Sequence, residues 1–359
     1  MANELIVALF LFSMLLAAAV LVPLPLAHAT PISVGVMGDS LSDEYAFNGR
    51  GYAANWVEQL ATAGLVNFGS SGSFTSPRNS GYAQNWALSG ATSGSLLSGG
   101  QASGLAAQIP IAGIQYAVLA IGANDFNPSN SAYQDIYAGT WSTSTINAYV
   151  AQSISNIKTA LDTVLPTGVK VAVATIPDYG SAPAVVSAFP VAAQRQAVTD
   201  VIHQVNLGII GLAQTDHLVV ADLAAMGAAT FGTNASPNAN LLIGNVPIHL
   251  NQTTSSNPSQ AAFVSDGVHP NTTIQGVMAD LFMQALDTGY QAGVPLFTEQ
   301  QILAHDGLAY VGSDTLPAYT NFVINFVPEP SAWLLAATGA TGLGLSCWRR
   351  RHSVSRSAA

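Results

Sequence analysis

The chain has 359 residues, only 8% of them charged, and its formal net charge at pH 7 is −10. This sparse, acidic charge excludes proteins that bind nucleic acid or anionic membrane surfaces through clustered Lys and Arg. A single cysteine excludes an intramolecular disulfide, so a packed core must supply the stability. With 49% hydrophobic residues, a chain of this length can form such a core.

Residues 1–29 have the composition of a secretory signal peptide. The run at 5–26 is almost wholly apolar, and the sequence AHA at 27–29 has the small residues that precede a cleavage site. We therefore predict a mature chain that begins near Thr30. The alternative is an uncleaved anchor, because the apolar run is long enough to span a bilayer.

Residues 327–359 carry a second targeting pattern. The tripeptide Pro-Glu-Pro lies at 328–330, uncharged residues follow at 332–348, and three arginines come next at 349–351. As a helix, the uncharged stretch spans about 25 Å and just crosses a membrane, and the arginines predict a cytoplasmic end.

The order of these three parts resembles the PEP-CTERM sorting signal of Gram-negative bacteria. The resemblance implies an exosortase-type processing enzyme as a partner, with the membrane contacted through the C-terminal helix before processing. It also implies an exported protein at the cell surface, in the outer membrane or extracellular matrix, or secreted. An ordinary membrane anchor is the alternative.

Between these ends, apolar runs alternate with segments of helical periodicity, and this alternation predicts an α/β fold. The predicted buried strands lie at 32–38, 115–122, 169–176 and 217–223, with a weaker fifth at 65–69. The predicted helices lie at 52–63, 144–165, 191–213 and 274–290. We expect a three-layer α/β/α sandwich with a central, mostly parallel five-stranded sheet and the site at the carboxyl ends of its strands.

Three segments interrupt this pattern within and after a predicted domain at 30–290. Residues 69–104 are rich in Ser and Gly and too long for a simple connection, so we expect them to contribute substrate contacts. Residues 224–260 are expected to form a loop-like insertion. Residues 291–326 are expected to form either a packed extension or a spacer.

The first candidate active-site residue is Ser40, at the carboxyl end of the first predicted strand. Gly38 would permit a tight turn there, in which Ser40 is either a nucleophile or a small polar turn residue. Asp39 is expected to organise this turn. Asp43 and Glu44, a few residues on, are expected to be solvated.

Four more residues could take part in the same chemistry. Asn124 follows another predicted strand, where its amide could donate to an oxyanion or cap a turn, and Asp125 beside it is expected to be structural. Gly90 could bring a backbone N–H to the same point. Asp266 and His269 have a spacing that lets a carboxylate orient an imidazole toward a serine, although metal pairs and surface loops share this spacing.

Together, these segments resemble the SGNH hydrolase family, also called the GDSL esterase/lipase family, from the first predicted strand to the last predicted helix. The resemblance implies the flavodoxin-like SGNH fold and a serine esterase without cofactor or metal, acting on a small-molecule, lipid or glycan ester. It implies a catalytic triad of Ser40, Asp266 and His269. It also implies an oxyanion hole formed by the N–H groups of Ser40 and Gly90 and the side-chain amide of Asn124.

Two other functions fit parts of the sequence. A catalytically inactive surface binding or matrix protein would suit the low charge and the abundance of Ser, Thr, Asn and Gly. A metal-dependent phosphoesterase has similar loops, but that family needs histidines where this chain has Ser40-Leu41 and Asp125. The association of PEP-CTERM proteins with surface polysaccharide favours an acetylated glycan over a lipid ester as the substrate.

Overall fold

The structure is a computed structural model, and it describes residues 30–328. The predicted signal peptide and nearly all of the predicted sorting signal lie outside the described residues. Within 30–328, no helix combines the length and the apolar character needed to cross a membrane.

A six-stranded sheet forms the centre of the fold. From one edge to the other, its strands are β2 (Val66–Asn67), β1 (Ile32–Gly38), β5 (Tyr116–Ala120), β6 (Lys170–Ala174), β7 (Val219–Ala221) and β11 (Val323–Asn325). The first five are parallel, as the sequence predicts, and β11 is antiparallel to β7. Every residue of β5 and β7 is buried, which explains their continuous apolar sequences.

Helices cover both faces of this sheet, which confirms the α/β fold. One layer contains α2 (Ser93–Ser98), α3 (Gln101–Ala112), α4 (Ser131–Ala138), α5 (Thr143–Val164) and α7 (Ala192–Thr215). The other contains α1 (Trp56–Thr62), α9 (Thr272–Tyr290) and α10 (Glu299–His305). Two short helices, α6 (Pro183–Ala188) and α8 (Leu223–Phe231), follow the carboxyl ends of β6 and β7.

The aromatic part of the core reaches the turn that follows β1. The ring of Trp56, the first residue of α1, lies 4.6 Å from that of Phe282 and 5.8 Å from that of Phe68, measured between centroids. Its indole N–H donates to the hydroxyl of Ser42 at 3.1 Å. Burial of these rings therefore also supports the turn that contains Ser40.

The segment 224–260 is ordered secondary structure, so the expectation of a loop-like insertion was wrong. It includes most of α8, followed by β8 (Asn240–Ile243) and β9 (Val246–Thr254), and β10 (Ala261–Val264) completes a second, three-stranded sheet. Gly244 and Asn245 join β8 to β9 with φ values of 54° and 62°. Positive φ at both residues is what a type I′ hairpin turn requires, and a Gly-Asn pair is a sequence signal for it.

Residues 69–104 begin with a hairpin of β3 (Ser71–Ser73) and β4 (Ser80–Tyr82) and then run beside β1. The N–H of Val36 donates to the carbonyl of Gln84 at 3.0 Å, and the N–H of Leu88 donates to the carbonyl of Gly38 at 3.1 Å. This pairing brings the segment to the carboxyl end of β1.

Residues 291–326 pack onto the sheet and its helices. Helix α10 lies against α9, and β11 extends the central sheet at its β7 edge. The α10 helix begins at Thr298, whose side chain accepts the N–H of Gln301 in a capping box.

Candidate active site

Ser40 lies in the turn after β1 and contacts His269. Its Oγ is 2.7 Å from Nε2 of His269, and Nδ1 of His269 is 2.7 Å from Oδ2 of Asp266. The serine is 8% exposed. The structure thus brings together three residues that the sequence separates by up to 229 positions.

Asp266 is itself held in place. Its Oδ1 accepts the backbone N–H groups of Val268 and His269, both at 2.9 Å. Burial would raise the pKa of Asp266, but the hydrogen bond and charge of His269, together with the two N–H groups, outweigh it and hold this pKa well below its usual range. The carboxylate is therefore ionised near neutral pH and can stabilise an imidazolium.

The sequence analysis missed two residues beside this pair. The Arg50 Nη1 atom is 3.6 Å from Oδ2 of Asp266, and the Arg50 guanidinium lies 4.7 Å from the ring centre of Tyr45. That ring meets His269 edge-on at 6.4 Å, and the Tyr45 hydroxyl donates to the carbonyl of Pro270 at 2.9 Å. The scarcity of basic residues was an available signal for Arg50, because residues 30–328 contain only five Lys and Arg.

Gln101 of α3 fixes the carboxyl end of β1. Its side-chain oxygen accepts the N–H of Gly38 at 2.9 Å, and its side-chain nitrogen donates to the Gly38 carbonyl at 3.0 Å. A Cβ atom on Gly38 would lie 2.5 Å from the carbonyl oxygen of Ala120 in β5. Only glycine lets the two strands approach this closely where the turn begins.

Gly90 and Asn124 lie on neighbouring segments. The Asn124 side-chain nitrogen donates to the carbonyl of Ala91 at 3.2 Å. Gly90 has a φ of 81°, a left-handed conformation that favours glycine. Within residues 30–328, the N–H groups of Ser40 and Gly90 have no hydrogen-bond partner, so both are available to a ligand oxygen.

Asp125, beside Asn124, connects the segment after β5 to the start of α2 and to α5. Its Oδ2 accepts the N–H of Ser93 at 2.8 Å, and its Oδ1 accepts the Ser93 hydroxyl at 2.6 Å and the Ser153 hydroxyl at 3.3 Å. Burial raises the pKa of Asp125, although these hydrogen bonds oppose the shift. The geometry agrees with the structural role expected from the sequence.

Asp43 and Glu44 are both buried, so the expectation that they are solvated was wrong. Glu44 is 0% exposed and forms a short ion pair with Arg78, whose guanidinium also lies 3.4 Å from Oδ1 of Asp43. Arg78 is 34 residues from Glu44, so local sequence does not show the pairing. Oδ2 of Asp43 accepts the N–H of Ser89 at 2.8 Å, so this ion cluster holds the residue before Gly90.

Asp39 organises the turn that contains Ser40. Its Oδ1 accepts the N–H of Leu41 at 3.0 Å, and its carbonyl accepts the N–H groups of Ser42 and Asp43. The side chain is buried, and this burial raises its pKa to about 7. Its Oδ2 atom has no hydrogen-bond partner in the described part of the chain.

A pocket of about 70 Å³ opens beside Ser40 and His269. Its apolar walls include Leu41, Pro177, Tyr179, Ala182, Phe231, Phe263 and Val268. The sequence analysis did not predict these wall residues. The available signal was the position of residues 177–182 after β6, because loops at the carboxyl ends of parallel strands form ligand sites.

A metal site is a separate question, raised by the phosphoesterase alternative. The two ring nitrogens of His269 are within hydrogen-bond distance of Ser40 and Asp266. Among residues 30–328, no group of three or more His, Cys, Asp and Glu side chains is arranged to hold a metal ion.

Comparison with known proteins gives one family match. The family model for GDSL-like lipase/acylhydrolase matches residues 34–282. No curated protein matches the chain by sequence. The matched range begins in β1, ends in α9 and includes every predicted site residue.

Solved structures with a similar backbone are distant in sequence. A GDSL-like lipase from Bacteroides thetaiotaomicron is 15% identical, over 72% of this chain and 92% of its own, with a TM-score of 0.41. An acetylxylan esterase from Geobacillus stearothermophilus is 14% identical, over 72% of this chain and 95% of its own, with a TM-score of 0.41.

Proposed function

The chain belongs to the GDSL-like lipase/acylhydrolase family and is a carboxylic ester hydrolase, and on this premise we propose an exported serine esterase that works by two-step acyl transfer. The observation that carries the proposal is the pair of 2.7 Å contacts that links Ser40 through His269 to Asp266. The ester is an acetylated glycan or another acyl ester.

In the first step, His269 is the general base. Its Nε2 takes the proton of Ser40 as Oγ attacks the ester carbonyl carbon, and Asp266 stabilises the resulting imidazolium. The N–H groups of Ser40 and Gly90 and the side-chain amide of Asn124 bind the oxyanion. His269 then protonates the departing alcohol, which leaves an acyl group on Ser40.

In the second step, water replaces the alcohol. His269 removes a proton from the water as the water oxygen attacks the acyl carbon, and the same oxyanion donors act again. His269 returns the proton to Ser40 as the ester bond to Oγ breaks. The products are a carboxylic acid and the free enzyme.

Export is part of the proposal and rests on the sequence of the two ends. Residues 1–29 have the pattern of a signal peptide, and 327–359 resemble a sorting signal processed by an exosortase-type enzyme. Mass spectrometry of the protein recovered from each compartment of cells that produce it would identify both mature termini. A protein that keeps residues 1–29 and stays in the cytoplasm would contradict this part.

The test of catalysis is covalent labelling. The purified protein is treated with a fluorophosphonate, and the adduct is located by peptide mass spectrometry, with Ser40→Ala as the control. We expect a label on Ser40 and ester hydrolysis that persists with a chelator. A folded protein that takes no label would favour the inactive binding protein, whereas activity lost to a chelator would favour the phosphoesterase.

A further inference from the structure

Phe231 lies where the pocket beside Ser40 meets two larger spaces; Ser181 also borders all three, and Pro177 and Asp178 border two of them. The Phe231 side chain borders the pocket of about 70 Å³, a cavity of about 360 Å³ between α7 and α8, and a groove of about 390 Å³ between α6 and β9. We propose that Phe231 limits the acyl group of the substrate to a short chain, from acetyl to butyryl. This inference rests on the proposed esterase function and narrows its substrate class.

The size of the pocket matches a short acyl group. A cavity of ~150 Å³ holds a benzene ring with its six carbons. A pocket of about 70 Å³ therefore has room for about three heavy atoms beyond the reacting carbon. An octanoyl chain needs more room than this pocket has.

The acyl group is the part of the ester that fits a small, partly enclosed pocket. The alcohol part of a glycan or lipid ester continues into a larger molecule and must extend into solvent. The side chain of His269 is 19% exposed to solvent, and that of Asp266 is 38% exposed. Since His269 protonates the leaving alcohol, we assign the open side to the alcohol and the enclosed side to the acyl group.

Phe231 is held firmly as a wall. Its ring packs against Phe263 with the centroids 5.4 Å apart, and its carbonyl accepts the N–H of Asn238 at 2.9 Å. Gly232, which ends α8, has a φ of 78°, and a Cβ there would lie 2.5 Å from the carbonyl oxygen of Ser236. The backbone contacts of Phe231 and Gly232 fix the position from which the ring projects, and Phe263 packs against the ring.

The cavity behind Phe231 has a lining that combines apolar and polar residues, and the apolar ones offer contacts to hydrocarbon. Ile202 and Ile210 of α7 line one side, and Ala225, Gly227 and Ala228 of α8 line the other. Removing the Phe231 ring would open the aromatic part of the wall that this cavity shares with the pocket beside Ser40; the other shared wall residues are Pro177, Asp178 and Ser181.

Two polar side chains of the same cavity, Asn206 and Asp222, are engaged with the protein, whereas Oδ1 of Asn234 has no hydrogen-bond partner within residues 30–328. The side-chain amide of Asn206 accepts the N–H of Ile176 at 2.7 Å and donates to the Ile176 carbonyl at 2.9 Å. Oδ1 of Asp222 accepts the Thr175 hydroxyl at 2.7 Å and the Ala225 N–H at 3.1 Å. Sugar hydroxyls would have to compete with these contacts, whereas an alkyl chain would not.

The experiment compares p-nitrophenyl acetate with p-nitrophenyl octanoate on the full chain. We expect wild-type kcat/KM for octanoate to be at least about tenfold below that for acetate, because a misfit of one methylene group is already worth about tenfold or more. In Phe231→Ala, the octanoate-to-acetate ratio should rise at least about tenfold. Phe231→Leu, which keeps more of the core packing, should give an intermediate ratio if the alanine variant folds poorly.

A second substitution tests whether the octanoyl chain of the substrate enters the cavity between α7 and α8. A Cβ on Gly227 meets nothing within 4 Å, so Gly227→Leu can extend into that cavity. In the Phe231→Ala background it should return the ratio toward the wild-type value. Gly211→Leu is the matched control, because Gly211 is a helical glycine with equally open space outside the cavity lining.

Two outcomes would overturn the inference. One is a wild-type enzyme that hydrolyses octanoate as fast as acetate, and the other is a ratio that neither Phe231 variant changes. A raised ratio that Gly227→Leu leaves raised would reject the α7–α8 cavity as the site. Failure of the proposed function itself looks different, because the wild-type protein would then hydrolyse neither ester and Ser40 would take no fluorophosphonate label.

Discussion

The two sides of the nucleophile turn are built from different kinds of contact. The oxyanion side (residues 84–93 and 122–127) is held by buried carboxylates, since Asp43 binds the N–H of Ser89 and Asp125 binds Ser93. The pocket side (residues 177–182, 231 and 263) is formed mostly by apolar and aromatic side chains, with Asp178 and Ser181 as its polar members. In the proposed mechanism, hydrogen bonds fix donor positions that every ester needs, and we propose that the apolar walls set the size of the acyl group.

This contrast yields an expectation for substitutions. Changes in the triad or on the oxyanion side should lower turnover of all esters by a similar factor. Changes on the pocket side should alter which ester is preferred. The following predictions sharpen or break this division, beginning with the largest effect.

Loss of the general base should have the largest effect. His269→Ala leaves Ser40 without a proton acceptor, and we expect kcat to fall by up to about 10⁶ for acetate and octanoate esters alike. His249→Ala, in β9 and outside the pocket, is the control and should keep wild-type kinetics. Residual His269→Ala activity of more than a few per cent would remove His269 from the mechanism.

Loss of one oxyanion donor should have a smaller effect. Asn124→Ala is expected to lower kcat by about 10²–10³ while the protein stays folded. Steady-state kinetics with both esters provides an internal control, because the octanoate-to-acetate ratio should not change. A changed ratio would show that the two sides of the turn are not independent, and wild-type turnover would exclude Asn124 as a donor.

The buried ion cluster beneath the oxyanion side should be costly to break. Arg78→Met leaves Asp43 and Glu44 buried without their cation, and we expect the free energy of unfolding to fall by about 3 kcal/mol. Denaturant unfolding measures this loss. Lys158→Met is the control, since the Lys158–Asp162 pair lies on the exposed surface and should contribute little. Equal losses in the two variants would contradict a structural role for the cluster.

The last prediction concerns a pH dependence of stability and is read from unfolding, with no change in turnover. Burial raises the pKa of Asp39 from 3.8 to about 7 in the folded protein. Between these values the unfolded chain releases a proton that the folded protein keeps, so Asp39 makes the protein less stable as the pH rises through this window.

Asp39→Asn separates this contribution from that of other groups. The asparagine keeps an acceptor for the N–H of Leu41 but cannot ionise, so the melting temperature should fall less between pH 4 and pH 7 than in the wild type. The pKa values of Asp280 and Asp306 are also raised to about 7 by burial, but both carboxyls are present in both proteins. Identical pH profiles in calorimetry would contradict the raised pKa of Asp39.

Much of the fold was predictable because buried strands give continuous apolar runs and long amphipathic helices give a hydrophobic pattern that repeats over many residues. Helices α5 and α9 lie within two residues of their predicted bounds. Short elements escaped prediction: α2 lies in a stretch rich in Ser and Gly, and β11 is three residues long. The hairpin of β8 and β9 was missed although the sequence contains its Gly-Asn turn.

For the site, the sequence by itself identified the candidate residues, both those at the ends of strands and the Asp-x-x-His pair. It could do so because these short motifs are local features of the chain. Only the tertiary structure decided that Ser40 and His269 touch, that Arg78 pairs with Glu44, and that Phe231 lines the pocket beside Ser40. Each of these contacts joins residues far apart in the chain. Their geometry follows from how whole helices and strands pack together, and local sequence patterns do not specify this packing.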